Sequence, residues 1–195
     1  IMGRDDPALV EILKQNLIQA GITLIEGVGV AGLSQIIKAG RRTITAKLAN
    51  GQQLNTSHLL MAVGRTPALD ELQLTAAEIR HDAKGIITNR RLRTSNRHVY
   101  AIGDVAGRQQ FTHIAGYHAS TVIRNILFKI PAKLDDSAVP WVTYCDPELA
   151  HVGLGLDDAK ARFGSDKVIC LETPLSANDR AIADRRTEGM VKVIT

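Results

Sequence analysis

The chain lacks the features that would indicate a membrane protein or a nucleic-acid-binding protein. No uninterrupted apolar run approaches the roughly 18 to 20 residues of a membrane helix, and no basic segment followed by an apolar one opens the chain. The 24 basic residues are scattered, so no stretch would follow a phosphate backbone. We therefore expect a cytoplasmic protein that binds neither membranes nor nucleic acids.

Cysteine is almost absent. Cys145 and Cys170 are the only two among 195 residues, which is too few for a secreted disulfide framework. Their spacing matches no metal or redox motif, so we predict two free thiols and no metal site. What is present is ordinary for a globular protein, with 45% hydrophobic and 23% charged residues, and this composition excludes disorder.

One glycine-rich segment has the spacing of a dinucleotide-binding loop. Residues 27 to 32 read G-V-G-V-A-G, but such a loop opens a long helix and is followed about 20 residues later by an acidic residue. No Asp or Glu occurs between Glu26 and Asp70, and only Leu33 to Lys38 could be helical before a break at Ala39. A glycine-rich strand or bulge is therefore favoured, and a small NAD-binding protein that uses these glycines is the alternative.

Two apolar runs end in a glycine followed by a charged residue. The first, Leu59 to Val63, leads into Gly64 and Arg65, and the second, Val99 to Ile102, leads into a Gly-Asp pair. Each run is typical of a strand buried on both faces. Ligands of open α/β sheets bind beyond the carboxyl ends of strands, so both ends are candidate binding positions.

The residues at the second strand end suit ligand binding better than those at the first. Gly103 would let backbone approach a ligand, and Asp104 is an acceptor that suits a polyol hydroxyl. A helix is predicted from Phe111 to Leu127, and its N-terminus favours negative charge. At the first strand end, Arg65 could hold a phosphate or a ribose.

The remaining patterns predict a chain of two parts. We expect a boundary near residue 135, with an antiparallel α+β unit after it. The predicted elements are a helix at 5–21 capped by Asp5 or Asp6, a strand at 22–25, a hairpin formed by 43–48 and 53–56, a ribbon at 86–88, strands at 141–144 and 150–153, a helix at 156–163, and strands near 167–171 and 189–195.

Three segments together resemble the flavin-dependent pyridine nucleotide-disulfide oxidoreductases. They read LLMAVGRTP at 59–67, TSNRHVYAIGDV at 94–105 and PWVTYCDPELAHVGL at 140–154. This family includes glutathione reductase, dihydrolipoamide dehydrogenase and mercuric reductase. The resemblance implies an α/β remnant of FAD- and NAD(P)-binding domains followed by an α+β antiparallel-sheet dimerisation domain. The implied parts are a partial NAD(P)-binding domain at 1–92, a returning segment of the FAD-binding domain at 93–135, and a partial dimerisation domain at 136–195.

The resemblance also implies cofactor-binding residues. Asp104 matches the carboxylate that hydrogen-bonds the FAD ribitol, and Gly103 matches the glycine that permits its approach. Thr112 and His113 match positions at the helix start, under the pyrimidine end of the flavin. In this chain alone, Asp104 is expected to face solvent.

Gly64 and Arg65 match the strand end beside the nicotinamide cofactor, so the implied cofactors of the complete enzyme are FAD and NAD(P). Whether this chain alone binds either cofactor is left open, as is the choice between NADH and NADPH. The family's two cofactor-binding GxGxxG loops, which the glycine-rich segment at 27–32 is not expected to supply, are absent from these residues. The family's Cys-x4-Cys pair and its C-terminal His-Glu pair are absent as well, so no catalytic residue is assigned.

The implied function is transfer of a hydride from NAD(P)H through FAD to a disulfide or related small-molecule acceptor, in a homodimeric enzyme. The chain by itself is expected to be an inactive fragment of that enzyme. The alternative is a dimerisation or interaction module whose nucleotide sites are vestigial.

Overall fold

The computed structural model describes residues 1–38 and 40–195, so the predicted break at Ala39 lies outside the described residues. The helices are α1 (Pro7–Gln19), α2 (Thr112–Ile126), α3 (Leu156–Phe163) and α4 (Asp179–Ala183). The strands are β1 (Val30–Lys38), β2 (Arg41–Leu48), β3 (Gln53–Thr56), β4 (His81–Asp82), β5 (Gly85–Ile86), β6 (Trp141–Thr143), β7 (Leu149–His151), β8 (Cys170–Pro174) and β9 (Met190–Ile194).

The strands form one three-stranded sheet, β1-β2-β3, and three two-stranded ribbons, β4-β5, β6-β7 and β8-β9. Every strand pair in the described part of the chain is antiparallel. The predicted hairpin is confirmed, because Lys47 lies opposite Gln53 across the Asn50-Gly51 turn. The glycine-rich segment is confirmed as strand and bulge, since β1 begins at Val30 and its register shifts between Val30 and Gly32.

The predicted helices at 5–21, 111–127 and 156–163 are confirmed with small changes at their ends. Helix α1 begins as its sequence indicates. The Asp6 side chain accepts hydrogen bonds from the N–H groups of Ala8 (3.0 Å) and Leu9 (3.3 Å), and Pro7 occupies the first helical position. These contacts use two of the N–H groups that a helix start leaves without intrahelical partners.

Three predicted strands are wrong. Residues 22–25 and 59–63 lie outside any strand, and Tyr100 makes only an isolated bridge to Arg93. A strand exists only where a neighbouring backbone receives its hydrogen bonds, and the described residues place no such neighbour beside the first two runs. The prediction that both runs are buried on both faces is also wrong, because Leu60 and Val63 are 88% and 89% exposed and Ile102 is 39% exposed.

The run before Asp104 is better supported than the run before Arg65. The Ala101 N–H donates to the Leu92 carbonyl (3.1 Å), and the Thr94 N–H donates to the Val99 carbonyl (3.0 Å). A small apolar core lies beside this run and consists of Leu74, Ile79, Ile86, Ala101 and Ala106, with Leu69, Ala77, Val99 and Val105 packed against it. The core fixes the backbone that leads into Gly103 and Asp104.

The start of the chain contacts its last ribbon. Lys192 Nζ on β9 lies 2.9 Å from Asp6 Oδ2 and 3.1 Å from Glu172 Oε1 on β8. The hydrogen bond to Asp6 raises the pKa of Lys192 against the opposing effect of burial. Trp141 Nε1–H donates to Asp5 Oδ1 at 3.0 Å. The two residues that precede α1 are therefore tied to both β6 and the β8-β9 ribbon.

Candidate functional site

The chain makes a tight turn at the end of the supported run. Residues Gly103–Ala106 form a single 3₁₀ turn that begins with a φ of +67° at Gly103. This left-handed conformation favours glycine. A Cβ at Gly103 would lie 3.2 Å from the Cβ of Ala115 on α2. The glycine therefore permits both the turn and the close packing of α2 against it.

Asp104 is the second residue of this turn, and Arg65 lies opposite it. The two side chains form an ion pair with 3.7 Å between Arg65 Nη1 and Asp104 Oδ2. Asp104 is 45% exposed, as expected for a carboxylate facing solvent, but its pairing with Arg65 is not evident from the sequence. The structure thus brings together the charged residues that follow the two apolar runs, which are almost 40 positions apart in the chain.

The start of α2 lies beside Asp104. Thr112 and His113 are the first two residues of the helix and are both exposed. The His113 ring stacks on Phe111 with 5.4 Å between centroids, and its Nε2 lies 2.8 Å from the Pro140 carbonyl, to which it donates. The Nε2–H of this imidazole is therefore already used in a hydrogen bond to a backbone carbonyl. The first-turn N–H groups of a helix have no intrahelical acceptors and make this end favourable for negative charge.

These residues line one cleft of about 450 Å³. Its lining comprises Arg65, Asp104, Gln110, Phe111, Thr112, His113, Ala115, Val142 and Tyr144. Four of the six predicted site residues are in this set, whereas Gly64 and Gly103 only support it as backbone neighbours. The cleft combines a carboxylate, a guanidinium and a helix N-terminus, so it can bind hydroxyl and phosphate groups together.

Val142 and Tyr144 were missed as site residues by sequence reasoning. Both belong to the segment that begins with β6, which the sequence assigns to a separate unit. The hydrogen bond between His113 and the Pro140 carbonyl brings that segment to the start of α2. No local pattern around Tyr144 indicates this contact, because it depends on how the two segments pack.

A wider depression of about 820 Å³ lies elsewhere, between the 3₁₀ turn Asp70–Leu72 and strand β4. His81 and Asp82 are its only titratable lining residues apart from Asp70. It contains none of the six predicted site residues. Although this depression is larger, the Asp104 cleft is the better candidate site, because the predicted site residues lie there.

The cysteines play no part in the cleft. Both are free thiols, as predicted. The Cys145 Sγ lies 3.3 Å from the Thr143 carbonyl oxygen and 3.1 Å from the Pro147 carbonyl oxygen, either of which can accept its single S–H, and burial raises the pKa of this thiol. A protonated, hydrogen-bonded thiol is a poor nucleophile, so Cys145 is not suited to disulfide exchange.

Comparison with known proteins identifies the family of this chain. Residues 1–119 match the pyridine nucleotide-disulphide oxidoreductase family, and residues 139–195 match the dimerisation domain of the same family. The chain belongs to the pyridine nucleotide-disulphide oxidoreductases. The predicted fold class, FAD/NAD(P)-binding elements followed by a dimerisation domain, is confirmed.

Among curated relatives, mercuric reductase of Staphylococcus aureus is 34% identical over 192 residues, which is 97% of this chain and 34% of that protein. Dihydrolipoyl dehydrogenase of Bacillus subtilis is 31% identical over 172 residues, which is 87% of this chain and 37% of that protein. The chain thus spans about a third of the length of these relatives.

Among solved structures, the HOCl-induced flavoprotein disulfide reductase RclA from Escherichia coli superimposes with a TM-score of 0.88. The match covers 100% of this chain and 43% of RclA, with 26% sequence identity. None of the helices in the described residues is long and apolar enough to cross a membrane. The same residues contain no group of three or more His, Cys, Asp or Glu side chains able to hold a metal ion.

Proposed function

We propose that this chain forms part of a flavoprotein that moves a hydride from NAD(P)H through FAD to a disulfide or a related acceptor. The observation that carries the proposal is the convergence of Asp104, Arg65 and the start of α2 in one cleft. The family membership and the similarity to flavoprotein disulfide reductase RclA support it.

The residues of the cleft suit FAD. Asp104 is half exposed at the turn that the positive φ of Gly103 permits, so its carboxylate can accept hydrogen bonds from ribitol hydroxyls. Backbone N–H groups at Thr112 and His113 would favour negative charge on the pyrimidine end of a reduced flavin. When bound, FAD supplies the hydride-accepting chemistry that no side chain in the cleft provides.

Arg65 gives the cleft its positive charge. Its ion pair with Asp104 is long and exposed, so a ligand hydroxyl can displace it at low cost. We propose that Gly64 and Arg65 then face the nicotinamide cofactor, with the guanidinium free to bind phosphate or ribose. The chain would contribute binding and orientation, and the acceptor chemistry would depend on residues outside it.

The test is a flavin titration of the complete protein that contains this chain, with Asp104→Asn compared against Asp166→Asn, an exposed control. A hydrogen bond to a charged group is worth about 1.5 to 3 kcal/mol, so we expect FAD affinity to fall roughly ten-fold or more in Asp104→Asn. The Asp166→Asn control should bind as the wild type does. Equal affinity in all three proteins would refute the role of Asp104.

The 195-residue chain alone should show no NAD(P)H oxidation with FAD and an artificial electron acceptor. Measurable turnover would show that the missing family motifs are not required. The turnover assay tests whether the chain is inactive by itself. The FAD titration of the complete protein tests the role of Asp104.

A second candidate function is subunit association. The family match over 139–195 is to a dimerisation domain, and one face of the β8-β9 ribbon exposes Leu171, Val191 and Val193. Exposed apolar faces of this kind mark interaction surfaces. Sedimentation at several concentrations should reveal a homodimer of the complete protein, and a strict monomer would exclude this function.

A further inference from the structure

His118 is a buried histidine that the proposed chemistry does not use. It lies on α2 and is 1% exposed, which makes it one of the most deeply buried side chains of the described residues. Its Nδ1 accepts a hydrogen bond from the backbone N–H of Gly103 at 3.0 Å. Gly103, whose N–H donates this hydrogen bond, directly precedes Asp104.

This hydrogen bond fixes the state of the imidazole. Because Nδ1 accepts, the ring must be neutral with its proton on Nε2. Burial lowers the pKa of His118, and the positive charge of Arg108 lowers it further, while Asp136 acts in the opposite direction. Arg108 and Asp136 are themselves paired at 2.7 Å, and Tyr117 is the aromatic neighbour of the ring.

The hydrogen bond from Gly103 to His118 is made at a residue whose backbone conformation is already restricted. Gly103 has positive φ and packs against Ala115, which lies one turn of α2 before His118. Its N–H would otherwise be a buried donor without a partner, and such donors are costly. Helix α2 therefore holds the turn at two places, through Ala115 packing and through the His118 acceptor.

We propose that His118 is a positioning residue that, as a neutral acceptor, sets the turn from which Asp104 is presented to a bound polyol. The proposal rests on the proposed function, since it assigns the polyol to FAD. Protonation of Nδ1 would place a donor against the Gly103 N–H and release the turn. Asp104 would then lose its fixed direction even though its own charge is unchanged.

The first test reads the hydrogen bond in the 195-residue wild-type chain by NMR, without cofactor. We expect nitrogen shifts typical of the Nε2–H tautomer for His118. When the solution is acidified, the chemical shift of the Gly103 amide proton should change with the same midpoint as that of the His118 imidazole. The chemical shift of the Gly116 amide, which lies in α2 itself, should not change in this way. The proposal would be overturned if the chemical shift of the Gly103 amide proton did not change as His118 is protonated.

The second test measures FAD affinity in the complete protein with His118→Asn and His118→Leu. Asparagine keeps an acceptor near the Nδ1 position, whereas leucine fills the space without one. We expect His118→Leu to weaken binding roughly five-fold, the change that losing one neutral hydrogen bond brings, and His118→Asn to restore most of it. In the wild type, affinity should fall as His118 becomes protonated, and this step should be missing in His118→Asn.

Asp104→Asn separates this proposal from the function on which it rests. If Asp104→Asn weakens FAD binding but His118→Leu does not, only the positioning role of His118 is wrong. If neither variant changes the affinity, the assignment of the cleft to FAD has failed as well. Equal weakening by His118→Asn and His118→Leu would also overturn the proposal, because the acceptor would then be irrelevant.

Discussion

The two apolar runs, neither of which forms a strand in the structure, have similar sequences but different surroundings. Leu59–Val63 and Val99–Ile102 are apolar runs that each lead into a glycine and a charged residue. The first run is largely exposed, and apart from Gly64 itself and its two chain neighbours, no heavy atom of the described residues lies within 4 Å of a Cβ built at Gly64. In the second, Ala101 is 4% exposed, and Gly103 packs against α2 and bonds to His118.

The difference shows what an apolar run contributes by itself. Hydrophobic sequence makes burial favourable, but burial also requires elements that cover the run. Helix α2 and the small core around Ile86 cover the second strand end and leave the first uncovered. Asp104 therefore follows a packed stretch of backbone, whereas Arg65 follows an exposed one.

The largest expected contrast concerns packing. Ile114→Ala on α2 should lower the free energy of unfolding by about 2 to 5 kcal/mol, because this buried side chain would leave a cavity. Leu60→Ala in the exposed run should change it by less than about 0.5 kcal/mol. Urea unfolding of the 195-residue chain measures both, and equal losses would mean that the two strand ends are packed alike.

Backbone substitution should give the next largest contrast. Gly103→Ala places a Cβ in the left-handed region and 3.2 Å from Ala115, so we expect a loss of about 1 to 3 kcal/mol. Gly64→Ala also meets a positive φ, of +131°, but its uncovered segment can relax, and about 0.5 kcal/mol or less is expected. The comparison fails if Gly64→Ala is the more damaging change in urea unfolding.

The covered strand end should also respond to pH. The pKa of His118 is lower in the folded chain than the ordinary value of about 6.5, so the unfolded chain binds more protons between those two values. Stability should therefore fall as the pH drops from about 6.5 through the folded pKa of His118. In His118→Asn this decline should disappear from the unfolding free energies measured over the same range.

The smallest expected effect is at the pair that joins the two strand ends. Arg65→Gln removes an exposed ion pair, so its effect on stability should be about 0.5 kcal/mol or less. A loss several times larger would show that Arg65 holds the first strand end in place. Thermal unfolding beside Arg97→Gln, another exposed arginine substitution, provides the comparison.

Much of the local structure was predictable from the sequence. Helix α1 follows from the Asp6 cap and Pro7, helix α2 from its apolar spacing, and the β2-β3 hairpin from Asn50-Gly51. Each of these depends on interactions within a few residues. The predicted strand at 59–63 failed because its identity depends on a distant backbone rather than on its own side chains.

The candidate site divides in the same way. The sequence determined the glycine and carboxylate at residues 103 and 104, the polar start of α2 and the absence of a usable dithiol, since residue type alone sets these chemistries. Only the tertiary structure decided that Arg65 faces Asp104, that Tyr144 lines the same cleft, and that His118 holds the Gly103 N–H. Those contacts join residues 15 or more positions apart, and their formation depends on how distant segments of the chain pack, which no local pattern encodes.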